Sequence, residues 1–174
     1  MESGRPEIPV FIICYNNHLY VKQTIEQLKK YGVHNIHVID NNSPWVETQL
    51  YLNSIEHEVE VIRFAVNYTS HVIYNVLWDR LPDKFIVTDP DLLYHPEIPS
   101  NFIQILDDLS EKYQAYKVGF ALDISEPEEL YQDIYAKDDK EYTIHSWEEQ
   151  FWNRKSYLKQ FTTRVSCILQ SSTI

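Results

Sequence analysis

Residues 8–40, IPVFIICYNNHLYVKQTIEQLKKYGVHNIHVID, decide the fold. The apolar run 8–15 has the length and β-branched content of a strand buried on both faces. After it Val21, Ile25 and Leu28 recur at helical spacing, and Gly32 supplies a stop signal. Residues 35–40 then read as a second strand. Strand, helix and strand in about thirty residues make one βαβ unit, whose two strands run parallel.

The same period continues outward. The turn-rich Asn41-Asn42-Ser43-Pro44 leads into a predicted helix over 45–55, and residues 59–66 form a third strand. A third helix is expected over 70–79, although its β-branched residues lower the propensity. Residues 84–88, bounded by Pro82 and Pro90, make a fourth strand. Ser100 is placed to cap a helix in which Phe102, Leu106, Leu109 and Tyr113 share one face, and 117–122 supply a fifth strand. Past Asp123 the pattern loosens into the acidic stretch 125–142, and 146–157 reads as helix again. The expectation is an α/β chain with a mostly parallel central sheet and helices on both faces. It forms one domain over residues 1–160, followed by an irregular tail over 161–174 such as a shortened chain leaves.

Bulk composition agrees with one domain. The chain has 174 residues, 44% hydrophobic and 14% aromatic, enough for one substantial core. A formal net charge of −11 disfavours a nucleic-acid partner or an anionic membrane surface, since both would repel it. Cys14 in an apolar run and Cys167 in the tail suit buried thiols in a reducing compartment better than a disulfide scaffold. The first apolar stretch is far shorter than a membrane span and is followed by no small-residue cleavage site, so a soluble, unprocessed, cytoplasmic chain is expected. Gly4, Gly32 and Gly119 are the only glycines, too scattered for a Walker loop or a GxGxxG turn. No HExxH occurs among the seven histidines, so no zinc site is assigned.

Ligands of an open parallel sheet bind beyond the carboxyl ends of its strands. The polar residues there are Tyr15, Asn16 and Asn17, then Asp40, Asn41 and Asn42, then 67–71, then Asp89-Pro90-Asp91. Aspartates two apart in extended chain point to one side and offer hard oxygen donors for magnesium or manganese, while Asp-Pro also favours an ordinary turn. Pro90 cannot donate to a central ladder, which puts the tripeptide at the strand's end. Asp40 can accept from a base or ribose, or satisfy its own turn. Tyr15 can stack on a base and Asn16 can hydrogen-bond it, or both can close the strand and cap the helix. In Trp147-Glu148-Glu149-Gln150-Phe151-Trp152 the aromatic stripe reads as core packing or as a sugar platform, and a glutamate beside it can have the raised pKa a general base needs.

Taken in order, PVFIICYNN with its helix, NIHVIDNNS, the 67–71 segment, FIVTDPD, KVGFALD and WEEQFW resemble a family 2-like glycosyltransferase of the GT-A, Rossmann-like fold over about residues 8–155. The resemblance implies that Tyr15, Asn16 and Asp40 contact the nucleotide, with Asn67 and His71 toward its diphosphate. It makes Asp89-Pro90-Asp91 the DxD motif, Asp89 near the ribose and Asp91 on the metal. Glu148 or Glu149 then deprotonates the acceptor, Glu148 being preferred. The implied activity is metal-dependent, inverting transfer of a sugar from a UDP- or GDP-linked donor to a glycan or other hydroxyl acceptor. Two features depart from the family: no glycine stands soon after Asn67, where the chain reads Tyr68-Thr69-Ser70-His71, and little chain remains to shape an acceptor site. Two other readings stand beside it. A haloacid-dehalogenase-type phosphohydrolase also uses two aspartates two apart, and a non-catalytic nucleotide- or carbohydrate-binding domain would suit the 13 tyrosines and 4 tryptophans.

Overall fold

The computed structural model describes residues 7–130, 134–137, 140–153 and 167–171. Strands β1 (Val10–Cys14), β2 (Ile36–Asp40), β3 (Glu60–Arg63) and β4 (Lys84–Thr88) run parallel, in the order β3-β2-β1-β4. Helix α1 (His18–Lys30) joins β1 to β2, α2 (Val46–Ile55) joins β2 to β3, and α3 (Phe102–Tyr113) leads from β4 to β5 (Lys117–Gly119). Beyond them lie a short hairpin, β6 (Tyr135–Lys137) with β7 (Lys140–Tyr142), then α4 (Ile144–Asn153) and β8 (Cys167–Ser171).

Side-chain alternation along the strands sorts the core into two layers. Val10, Ile12 and Cys14 of β1, with Ile36, Val38 and Ile86, pack against Val21, Ile25 and Leu28 of α1, Leu52 of α2 and Phe102 and Leu106 of α3. Phe11, Ile39 and Phe85 point the other way, onto Val72, Ile73 and Leu77. The central strands are apolar on both faces because both faces are covered. Helix α1 ends as its glycine predicts: Gly32 adopts φ 75°, its N–H reaches Lys29 O at 2.9 Å, and the Val33 N–H reaches Leu28 O at 3.1 Å. That pair of bonds is a Schellman motif, which needs a left-handed residue where glycine costs least.

The structure departs from the sequence expectation at four places. Residues 70–79 form no regular α-helix but a 3-10 turn (Thr69–His71), a π turn (Ile73–Leu77) and another 3-10 turn (Trp78–Arg80). Burial of Ile73 and Leu77 against Phe11 and Phe85 outweighs regular bonding in a run of low helix propensity. The N-cap position of α3 belongs to Asn101, not Ser100, and it makes no side-chain cap bond. The fifth strand stops at Gly119. Most importantly, the tail expected to be irregular contributes β8, antiparallel to both β4 and β5, with Ile86 opposite Leu169 and Val118 opposite Leu169. A strand there pairs backbone groups of β4 and β5 that would otherwise be open edges. Residues 161–166 and 172–174 of that tail, and 154–157 of the last predicted helix, lie outside the described residues. No helix among the described residues is long and apolar enough to cross a membrane.

Candidate functional site

Parallel register brings the strand ends to one edge: Cys14 lies opposite Asp40, Asp40 opposite Arg63, and Ile12 opposite Thr88. The loops after β1, β2, β3 and β4 therefore emerge side by side. The first three are stitched together. The Asn16 N–H donates to Ser43 Oγ at 3.0 Å, and the Trp45 N–H donates to Asn16 Oδ1 at 3.0 Å. The Asn41 N–H reaches Cys14 O at 2.9 Å, while its side chain donates to Thr69 O at 2.7 Å and accepts the Tyr68 N–H at 2.9 Å. One buried residue, through its backbone N–H and its side-chain amide, thus joins three strand exits.

Backbone strain concentrates at this edge. Asn16 (φ 57°), Asn42 (φ 64°) and Thr69 (φ 60°) are left-handed without being glycine. Asparagine tolerates that region, whereas a β-branched threonine there is an outlier that neighbouring structure must hold. Such residues cluster where a ligand or a catalytic group requires them.

The predicted site residues are placed as follows. Tyr15 is exposed beside the bonded Asn16. Asp40 is buried, and its carboxylate accepts the Ser43 N–H at 2.9 Å and Gln49 Nε2 at 2.8 Å, with Arg63 Nη1 at 3.4 Å. Its turn-satisfying role is therefore present in full. Asn67 is exposed and accepts the Thr69 N–H at 2.7 Å through Oδ1. His71 is exposed, its N–H 3.5 Å from Thr69 Oγ1. Asp89 and Asp91 stand open to solvent around the buried Pro90. Although Asp89 keeps accessible surface, protein crowding around its carboxyl pushes the pKa up, and the Asp91 charge adds to it. Two repelling carboxylates in a partly desolvated setting suit a divalent cation.

Glu148 stands apart from that group. It is half-buried on α4, where burial raises its pKa and a hydrogen bond from the Leu122 backbone partly offsets the rise. Trp152, one turn on, donates from Nε1 to Leu122 O at 2.9 Å. Residues four apart on one helix face thus grip both sides of a single residue's backbone. Their anchor follows β5, which lies two strands from β4 in the sheet order. Glu149 is exposed.

Sequence reading missed the residues that hold the aspartate loop. Thr24 Oγ1 donates to Pro90 O at 2.6 Å, Gln27 Nε2 donates to Leu92 O at 2.9 Å, and Gln27 Oε1 accepts the Tyr94 N–H at 2.7 Å. A signal existed for Thr24, a hydroxyl inside the apolar stripe of Val21, Ile25 and Leu28. None existed for Gln27. Cys14 is a free buried thiol whose pKa burial pushes up to about 11, so it is no nucleophile at neutral pH. Among the described residues no group of three or more His, Cys, Asp or Glu is placed to hold a metal. An open cavity of about 510 Å³ at the opposite edge of the sheet is lined by His34, His37, Glu56, His57, Glu58 and Glu60. There Glu58 pairs with Lys29, Glu56 with Arg63 and Glu60 with His37.

The crystal structure of S. aureus TarS 1-349, a glycosyltransferase, superposes with TM-score 0.55 at 11% identity, over 96% of this chain and 47% of that one. The shared architecture is an α/β fold of the Rossmann-like GT-A type, with a mostly parallel central sheet covered by helices. The present chain spans about half the length of that structure. No family model matches the chain, and no curated protein matches it in sequence.

Proposed function

We propose that this chain binds a nucleotide-diphosphate sugar and takes part in metal-dependent transfer of the sugar to an acceptor hydroxyl. The observation that carries this reading is the meeting of four polar loops at the carboxyl edge of a GT-A-type sheet, the last presenting Asp89 and Asp91 beside each other. A UDP- or GDP-linked donor would lie over Tyr15 and Asn16, with its diphosphate toward His71 and the aspartates. Asp91 and Asp89 would hold manganese or magnesium, hard cations that suit carboxylate oxygens. An ion held there would supply positive charge to offset the charge of the departing nucleoside diphosphate. The acceptor oxygen bonds to the anomeric carbon from the face opposite the diphosphate, the carbon–oxygen bond to phosphate breaks, and a carboxylate takes the hydroxyl proton.

Glu148 is the proposed base, because a half-buried carboxyl with a raised pKa suits that task at neutral pH. Glu148→Gln should then lower transfer by about a hundredfold or more while leaving donor binding intact. Loss of transfer in Glu149→Gln with Glu148→Gln active would move the role to Glu149. The reading as a whole is tested by melting the chain with UDP and GDP, each with and without manganese. One nucleotide should raise the melting temperature in a manganese-dependent way, since a ligand of the folded state stabilises it by mass action. No rise with either nucleotide overturns it.

A further inference from the structure

Residues 89–94 carry both aspartates and belong to no helix or strand. Their position is imposed by α1, more than sixty residues earlier in the chain. Thr24 is wholly buried, and its hydroxyl holds the carbonyl of Pro90, directly before Asp91. Gln27, three residues along the same helix face, takes the carbonyl of Leu92, directly after Asp91, and the N–H of Tyr94. Tyr94 is itself buried, its ring 6.3 Å from Tyr31 and 5.9 Å from Phe102. The backbone on either side of Asp91 is therefore pinned while its side chain stays exposed. Elsewhere on α1 the buried positions are apolar: Val21, Ile25 and Leu28.

We infer that Thr24 and Gln27 are positioning residues that set the Asp89–Asp91 loop for the diphosphate-bound cation, an inference that rests on the function proposed above. Without the clamp the loop keeps its residues but loses its aim, and a misplacement of about an ångström is enough to weaken such a site severely. The consequence is specific. Contacts to the nucleotide made by the loops after β1 and β2 do not pass through Pro90 or Leu92, so only the metal-dependent part of binding should suffer.

The test uses the full chain, with UDP and GDP affinities measured with and without manganese, and manganese binding read independently by electron paramagnetic resonance. Thr24→Val and Gln27→Met are the variants, and Thr24→Ser is the conservative control that keeps the hydroxyl. In Thr24→Val and Gln27→Met the manganese-dependent gain in affinity should fall about tenfold, metal-free nucleotide affinity should stay within about twofold, and Thr24→Ser should restore the gain. If both variants melt at lower temperature yet keep the full gain, the clamp is structural only and the inference is overturned. Equal loss with and without manganese overturns it as well. Should Thr24→Val not fold, Gln27→Met and Thr24→Ser decide the matter alone. Asp91→Asn separates this inference from its parent: a gain abolished by Asp91→Asn but untouched in the clamp variants sinks the inference only, whereas a wild-type chain that binds neither nucleotide overturns both.

Discussion

Two loops at the carboxyl edge are held by the same chemistry and serve different ends. Asn41 grips residues 68–69 and Gln27 grips residues 92–94, each amide donating to one backbone carbonyl and accepting one backbone N–H. Asn41 sits at the end of a central strand, almost wholly buried, and what it holds is strained, for Thr69 is left-handed. Gln27 reaches from the side of a helix, is only partly buried, and holds a loop with no left-handed residue. A buried amide at a strand end reaches out of the sheet to hold a strained, exposed loop, so its loss leaves a void at the strand end and unpairs two backbone groups of that loop. A helix-borne amide can be lost with water as a partial replacement, so its worth lies in where it sets the loop.

The sharpest way to break this comparison is Asn41→Ala, which unpairs the Tyr68 N–H and Thr69 O together. Stability should fall by roughly 2–3 kcal/mol, seen as a melting temperature lower by about 5–10 °C. An effect no greater than that of Gln27→Met would erase the distinction.

Next comes Asp91→Asn, on the unstrained loop. It should remove most of the manganese-dependent nucleotide affinity, at least about tenfold, with little change in the melting temperature of the free protein. Unchanged manganese dependence would withdraw the metal assignment.

Thr69→Asn probes the strained loop without touching Asn41. Asparagine accepts φ near 60° more readily than threonine, so the substitution should stabilise by about 0.5 kcal/mol in denaturant titration. Destabilisation instead would mean that the Thr69 side chain contributes more than its backbone costs.

The smallest effect concerns pH. The folded-state pKa of Asp89 is raised, so the native state binds more protons than the unfolded chain between the ordinary carboxylate value, 3.8, and the raised one. Wild-type stability should therefore decline as pH rises through that window, and stay lower above it, relative to Asp89→Asn. Melting temperatures of the two proteins across pH 3–7 should diverge upward; curves that remain parallel would show Asp89 to be fully solvated.

Much of the fold was legible because it is locally encoded. Strands 1, 2 and 4 and helix α2 fall within two residues of the expected bounds, and α1 carries the expected face of Val21, Ile25 and Leu28 and stops before Gly32, since uninterrupted apolar runs and a 3.6-residue period speak for themselves. The π turn over Ile73–Leu77 was not legible, because its shape answers to Phe11 and Phe85 across the sheet and not to its own sequence. Strand β8 escaped for a similar reason: a five-residue segment acquires its identity from partners some eighty residues away. Of the candidate site, the polar residues at each strand exit were readable from their position after apolar runs. That Asp40 spends its carboxylate on Ser43, Gln49 and Arg63 was not, since each bond depends on how three elements meet.

What the amino-acid order determined by itself is the alternation of strand and helix, and with it the edge at which Tyr15, Asp40, Asn67 and Asp89 must emerge, because periodicity and parallel connection are local properties of the chain. Only the tertiary structure decided which side chains aim the emerging loops. Thr24 and Gln27 meet residues 90–94, and Asn41 meets Thr69, through hydrogen bonds a few ångströms long between segments far apart in sequence. Such contacts exist only once the helices have packed against the sheet.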